Sequence, residues 1–174
     1  MAQKLDSVNL TRARELCGRA REVWVRRAGL VVVAAIVVLA LFNVFGQAPS
    51  DSTANSPAAT LTVLSPTHVR GGLLFEARFT IVAHQELKKA TLVLGRGWAE
   101  GMTINTLEPA PSQETSDNGR LSFQLGDIPA GTSFVFYMQF QVNPITVGSR
   151  TQLAEVLDGS TTLVSLTRHM TVLP

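Results

Sequence analysis

The sequence contains one cysteine, Cys17, so no framework of disulfide bonds can hold the chain together. It is also poor in charge, since Asp, Glu, Lys and Arg make up 16% of its 174 residues. Soluble globular proteins carry about 25%, and the deficit indicates a segment from which charge is absent. The net charge of +2 excludes a nucleic-acid-binding protein with a broad basic surface. The hydrophobic content of 45% excludes a disordered chain.

The motifs of common enzyme sites are also missing. The three histidines, His68, His84 and His169, do not have the spacing of metal ligands, and no G-x-S-x-G turn occurs. Gly95-Arg96-Gly97 lacks the lysine and the strand-loop-helix context of a phosphate-binding loop. We therefore predict no metal, no cofactor, no small-molecule ligand and no enzymatic activity. A Ser-His-Asp triad is left open, because geometry rather than spacing defines it.

One segment explains the low charge. Ala28–Phe45 contains no ionisable residue, and as a helix its length would be about 27 Å, close to the hydrocarbon thickness of a bilayer. A buried strand of about 4–8 residues is too short to account for it. Lipid offers no partners to backbone polar groups, so the segment must be helical. The sequence predicts a transmembrane helix over residues 28–46, with the lipid bilayer as its partner.

The flanks of this segment differ in charge. Residues 1–27 hold seven basic and three acidic residues, and Arg26 and Arg27 directly precede the apolar run. No basic residue follows the run before Arg70. The positive-inside rule therefore predicts a cytoplasmic N-terminus, with residues 47–174 outside the plasma (cytoplasmic) membrane, and Trp24 fits the interfacial depth. A cleaved signal peptide is the alternative, but the apolar run is longer than usual for one, which favours an uncleaved anchor.

Two further segments flank the predicted span. Residues 1–27 form a basic cytoplasmic stub with helical apolar spacing, interpreted as a topology signal or, alternatively, as a docking helix for a cytosolic partner. Acylation of Cys17 is a hypothesis for this segment. Residues 47–60 are rich in Ala, Ser, Pro and Thr, which predicts a flexible spacer that holds the following domain away from the membrane.

From residue 61 to residue 174 the hydrophobic period is two. Residues 75–83, 121–125 and 134–142 alternate apolar and polar side chains, which is typical of strands with one buried face. Further strands are predicted at about 61–65, 90–94, 102–107, 150–157 and 161–172, and Asp158-Gly159 predicts a hairpin turn. The fold class is therefore all-β, an immunoglobulin-like antiparallel β-sandwich of seven or eight strands behind one transmembrane helix.

Several turn and strand motifs resemble a known domain type. Gly101–Ile104, Glu108–Pro111 and the run Gly119–Ser133, with Leu125-Gly126 followed by Ala130-Gly131, precede a long alternating strand. This arrangement resembles the Ig-like repeat domains of prokaryotic cell-surface proteins. The resemblance implies a bacterial, extracytoplasmic structural or adhesive module without catalytic residues.

One tryptophan and one arginine of the predicted domain stand in unusual positions. Trp98 lies in the glycine-flanked loop Gly95–Gly101 and is interpreted as a lid over the core or, alternatively, as an exposed anchor that contacts a partner together with Arg96. Arg168 lies on the apolar face of the last strand, which indicates either a bulge or a position at the rim of the sandwich.

These observations favour a non-enzymatic, membrane-anchored interaction or accessory module of a cell-envelope assembly, whose partner is another membrane or envelope protein. The alternatives are a ligand-sensing ectodomain coupled through the helix to a partner, and an envelope enzyme.

Overall fold

The computed structural model describes residues 3–42 and 47–174, and for residues 3–20 it describes the backbone alone. The chain divides into two compact units. The first is one helix, α1 (Gln3–Leu41), which joins the predicted stub and the predicted span without a break. Residues 43–46, the end of the predicted span, lie outside the described residues.

The second unit, here called the β domain (residues 47–174), contains eleven strands. They are β1 (Pro49–Asn55), β2 (Ala59–Pro66), β3 (His68–Arg70), β4 (Leu74–Ala83), β5 (Leu87–Leu94), β6 (Met102–Glu108), β7 (Gln113–Asp117), β8 (Arg120–Ile128), β9 (Ser133–Val142), β10 (Gly148–Asp158) and β11 (Thr161–Leu173). Five of them form one sheet in the order β1-β2-β4-β9-β6, and six form the other in the order β3-β11-β10-β5-β8-β7.

The fold is an immunoglobulin-like β-sandwich, as the alternating pattern predicts. Each of the eight predicted segments is a strand, and most of their apolar residues face inward between the sheets. The strand count was wrong because the sequence pattern missed β1, β3 and β7. One pairing is not antiparallel, since β3 runs parallel to β11.

The prediction of a flexible spacer over residues 47–60 is wrong for its greater part. β1 pairs along its whole length with β2, from Pro49 opposite Pro66 to Asn55 opposite Thr60. The turn between them is closed by Ser56, whose hydroxyl donates to the carbonyl of Ala59 and accepts from its amide. The strand forms despite its polar composition because β2 supplies its hydrogen bonds, and its half-buried Ala54 packs against the core.

The core is closed by aromatic rings that come from both sides. Phe75 stacks on Phe140 within the five-stranded sheet, with 5.2 Å between ring centroids. Phe123 of β8 packs across the sandwich on Phe136 of β9, at 5.6 Å. Because these side chains are buried to within a few per cent, they hold the two sheets face to face.

The pairing of β1 generates a stability prediction. Ala54→Asp places a charge on the inner side of the strand and is expected to lower the free energy of unfolding by about 1–3 kcal/mol. Thr53→Asp, on the outer side of the same strand, is expected to change it by no more than about 0.5 kcal/mol. Urea denaturation of both variants checks this, and equal, negligible effects would show that the segment is a free spacer after all.

Candidate functional site

Trp98 lies inside the core, in a one-turn 3-10 helix (Arg96–Trp98) that follows β5. Its side chain has 0% exposed surface. The ring packs against Phe79 at 5.2 Å and Phe140 at 5.7 Å, both on the five-stranded sheet. The interpretation as a core lid is therefore confirmed, and the alternative of an exposed anchor is wrong because no part of the ring reaches the surface.

The glycines of this loop explain how the lid is seated. A Cβ on Gly97 would lie 2.1 Å from the carbonyl oxygen of Thr151, so only glycine lets the loop backbone approach β10 this closely. The backbone amide of Gly95 donates to the carbonyl of Leu153 on the same strand at 2.9 Å. The loop with its flanking glycines therefore serves to pack Trp98 into the core, although a tryptophan between glycines is equally typical of a binding loop.

Arg96, the second predicted contact residue, is exposed. Its Nε donates to the carbonyl of Asn118 at 2.6 Å. Its aliphatic stem covers Gly119, where an added Cβ would lie 3.0 Å from Cγ of Arg96. The side chain therefore stabilises the turn between β7 and β8. Of the two residues predicted to contact a partner, Trp98 and Arg96, a partner would reach only the guanidinium edge of Arg96.

Arg168 lies neither at a bulge nor at the rim. Its register with Gln152 is regular, and its side chain points inward with 5% exposed. One terminal nitrogen donates to the carbonyls of Ser65 at 2.7 Å and Pro66 at 3.1 Å, which links the two sheets. Burial lowers the pKa of Arg168 because the interior disfavours the charged form.

The five-stranded sheet presents an outward face with a row of opposed side chains. Registers between neighbouring strands place Asp51, Leu64, Arg78, Tyr137 and Glu108 side by side across all five strands. Tyr137 is 37% exposed and has Arg78 opposite it on one side and Glu108 on the other. This surface, the five-strand face, thus carries an aromatic side chain between opposite charges.

Two shallow depressions lie along the same face. One has a volume of about 440 Å³ and is lined by residues that include Leu64, Leu74, Glu76 and Gln139. The other, of about 250 Å³, is lined by residues that include Tyr137 and shares Glu76 and Gln139 with the first. The face is therefore uneven around Tyr137, which suits shape-complementary contact with another surface.

The three histidines are each within hydrogen-bonding distance of a threonine, and no metal-binding group forms around them in the described residues. His84 Nε2 lies 2.8 Å from Oγ1 of Thr60, and His68 Nδ1 lies 3.1 Å from Oγ1 of Thr67. Within residues 21–42 and 47–174, no three His, Cys, Asp or Glu side chains lie together as metal ligands would.

The helix provides the third candidate surface. An 18-residue stretch within Arg21–Leu41 has a mean hydropathy of 2.1, and the helix is long and apolar enough to cross a membrane. The large apolar side chains from Leu30 to Phe42 are between 42% and 80% exposed. Among the predicted flanking residues, Arg27 lies 6.0 Å from the ring of Trp24, one turn away. Arg26 is exposed beside them.

The packing of Trp98 generates a prediction. Trp98→Ala is expected to lower the free energy of unfolding by about 3–5 kcal/mol, because it empties the space between Phe79 and Phe140. Trp98→Phe keeps an aromatic ring and is expected to cost clearly less, while Arg96→Ala is expected to cost about 1 kcal/mol for one lost hydrogen bond. Thermal denaturation ranks the three variants, and a Trp98→Ala variant as stable as the wild type would contradict the lid.

No protein-family model and no curated protein matches the chain. Solved structures match it at low identity. CaCohA2 from Clostridium acetobutylicum is 17% identical, with a TM-score of 0.45 over 68% of this chain and 92% of that one. The CARDB domain of the PF1109 protein from Pyrococcus furiosus, solved in complex with di-metal ions, is 14% identical, with a TM-score of 0.40 over 73% and 90%. The human F-spondin reeler domain is 13% identical, with a TM-score of 0.41 over 63% and 83%. These likenesses say nothing about function.

Proposed function

We propose that the chain is a single-pass protein of the plasma (cytoplasmic) membrane whose β domain lies outside the cytoplasm and binds another membrane or envelope protein without catalysing a reaction. The observation that carries this proposal is the apolar 18-residue stretch within the helix segment Arg21–Leu41, which is 0% buried. A stretch of exposed Val, Ile and Leu of this length is costly in water, at about 25 cal/mol for each Å² of apolar surface. A bilayer removes that cost.

The charge distribution supports the orientation. The seven basic residues of segment 1–27 outnumber its three acidic residues, which leaves a net excess of positive charge, and Arg26 and Arg27 lie at the start of the apolar run. Such residues are retained on the cytoplasmic side. The contact between Arg27 and Trp24 places a cation and an amphipathic ring together, a combination suited to the headgroup layer.

The five-strand face supports a protein partner. Tyrosine and arginine are the residues that most often dominate binding energy at protein interfaces, and Tyr137 lies directly opposite Arg78 in the strand register. Glu108 on the other side offers the opposite charge, so a partner that contacts Tyr137 meets a donor and an acceptor at once. This face is an interaction surface rather than a reaction site, because its depressions are shallow and its side chains are suited to contact.

The topology is testable with the native cysteine. In intact spheroplasts, a membrane-impermeant maleimide is expected to leave Cys17 unlabelled and to label a Cys17→Ser, Ala130→Cys variant, because the bilayer separates the two positions. Lysis is expected to make Cys17 reactive. Carbonate washing should leave the chain in the membrane fraction. Labelling of Cys17 before lysis would refute the orientation, and release by carbonate would refute the anchor.

The docking face is tested by site-specific crosslinking. A photoreactive phenylalanine analogue at position 137 is expected to crosslink a membrane or envelope protein in intact cells, and the same analogue at His169, exposed on the other sheet, serves as the control. Tyr137→Ala is expected to weaken binding of the identified partner by about 2 kcal/mol, which is typical of an interface hot spot. Equal crosslinking from both positions would argue against this face.

A further inference from the structure

The exposed apolar side chains of the β domain are concentrated at one end of the sandwich. Within residues 47–174, five large apolar or aromatic side chains are exposed, and four of them lie in two neighbouring loops or at the first strand residue beside them. These are Leu73 at 48%, Leu74 at 48%, Ile145 at 87% and Val147 at 59%. The fifth is Tyr137 on the five-strand face. An exposed isoleucine at a loop tip contributes nothing to the core, so the cluster requires another explanation.

Backbone contacts fix the two loops against each other. The amide of Gly72 donates to the carbonyl of Val142 at 2.9 Å, and the amide of Val142 donates to the carbonyl of Leu73 at 3.0 Å. A Cβ on Gly71 would lie 2.7 Å from the carbonyl oxygen of Pro144, so the loops pack without space between them. The apolar side chains are therefore presented together by a fixed scaffold.

The chain joins the β domain at this same end. Gln47 and Pro49 line a depression together with Pro66 and Leu74, next to the first of the two loops. We call this the proximal end. Because β1 takes up residues 49–55, the connection to the helix is short: five peptide links separate Phe42, the residue after the helix, from Gln47. Five links reach at most about 18 Å, which is less than the diameter of the domain they would have to bypass.

We propose that the proximal loops Gly71–Leu74 and Asn143–Val147 insert their apolar side chains into the interfacial layer of the membrane that holds the helix. This inference rests on the proposed function, since it requires that the helix spans the bilayer. Lipid is the partner of these loops because the short connection to the helix would keep the proximal end within reach of the headgroups. The four apolar side chains carry no charge, so their own contribution to insertion is the burial of apolar surface.

Insertion at the proximal end would also orient the five-strand face. The strands β4 and β9 have an end at the proximal loops and run away from them along the sandwich. With that end in the membrane, Tyr137 faces sideways, parallel to the bilayer plane. The face is then turned toward neighbouring proteins in the same membrane.

Fluorescence quenching by lipid tests the insertion. In a Cys17→Ser background of the full chain, single cysteines replace Val33 in the helix, Asn143 in a proximal loop and Ala130 at the opposite end of the sandwich. Each is labelled with the same polarity-sensitive dye and reconstituted in phosphatidylcholine vesicles that contain nitroxide-labelled acyl chains. The dye at position 143 is expected to be quenched about threefold more than the dye at position 130, because interfacial insertion reaches about 5–10 Å into the lipid.

A combined Ile145→Ser and Val147→Ser variant provides the matched control. It is expected to reduce quenching at position 143 to the level at position 130 without changing the melting temperature, because both side chains are exposed. Quenching at position 33 with none above the control at position 143 would overturn the insertion and leave the membrane anchor intact. A loop covered by a second copy or by a partner protein gives that same result. Absence of quenching at position 33 would overturn both proposals.

Discussion

The β domain depends on the burial of aromatic rings between two sheets that each have one apolar face. Trp98 enters this layer from the segment that leaves β5, and it rests on Phe79 and Phe140 of the opposite sheet. Because the rings join residues far apart in sequence, strand pairing and closure of the sandwich stabilise each other. The cation of Arg168 lies 5.9 Å from the Trp98 ring and bonds to β2, so the same layer also holds the most deeply buried charge of the β domain.

The alternating strands and the apolar helix were predictable because burial leaves a periodic signature in the sequence. β1 and β7 leave no such periodic signature. The residues of β7 are exposed on both faces, and its order comes from pairing with β8. The row of side chains around Tyr137 could not be predicted either. Arg78 and Glu108 lie opposite Tyr137 only because strands distant in sequence pair in a particular register. The pattern around Trp98 favoured a core lid but left a contact role open, since the two are distinguished by the burial of the ring against Phe79 and Phe140, which spacing alone does not give.

The proposed membrane anchor and the two proposed contact surfaces depend on one correction to the sequence interpretation. If residues 47–60 were a free coil, the domain would sample many orientations and distances, and neither the five-strand face nor the proximal loops would have a defined position. Because β1 is part of the sheet, the connection to the helix is short. A membrane anchor with so short a connection would limit the distance of the domain from the bilayer, which would raise the effective concentration of its binding face for a partner in the same membrane.

The position of β1 also determines how the domain would respond to mechanical load. Tension applied to the N-terminal end of the domain along this strand would enter the fold at Pro49 and run toward Asn55. Antiparallel hydrogen bonds are perpendicular to the strand, so the ladder between β1 and β2 would be loaded in shear, with all of its bonds sharing the force. A ladder loaded in shear resists pulling better than one that unzips bond by bond, so for a pull directed along β1 the first strand of the domain would act as its mechanical clamp.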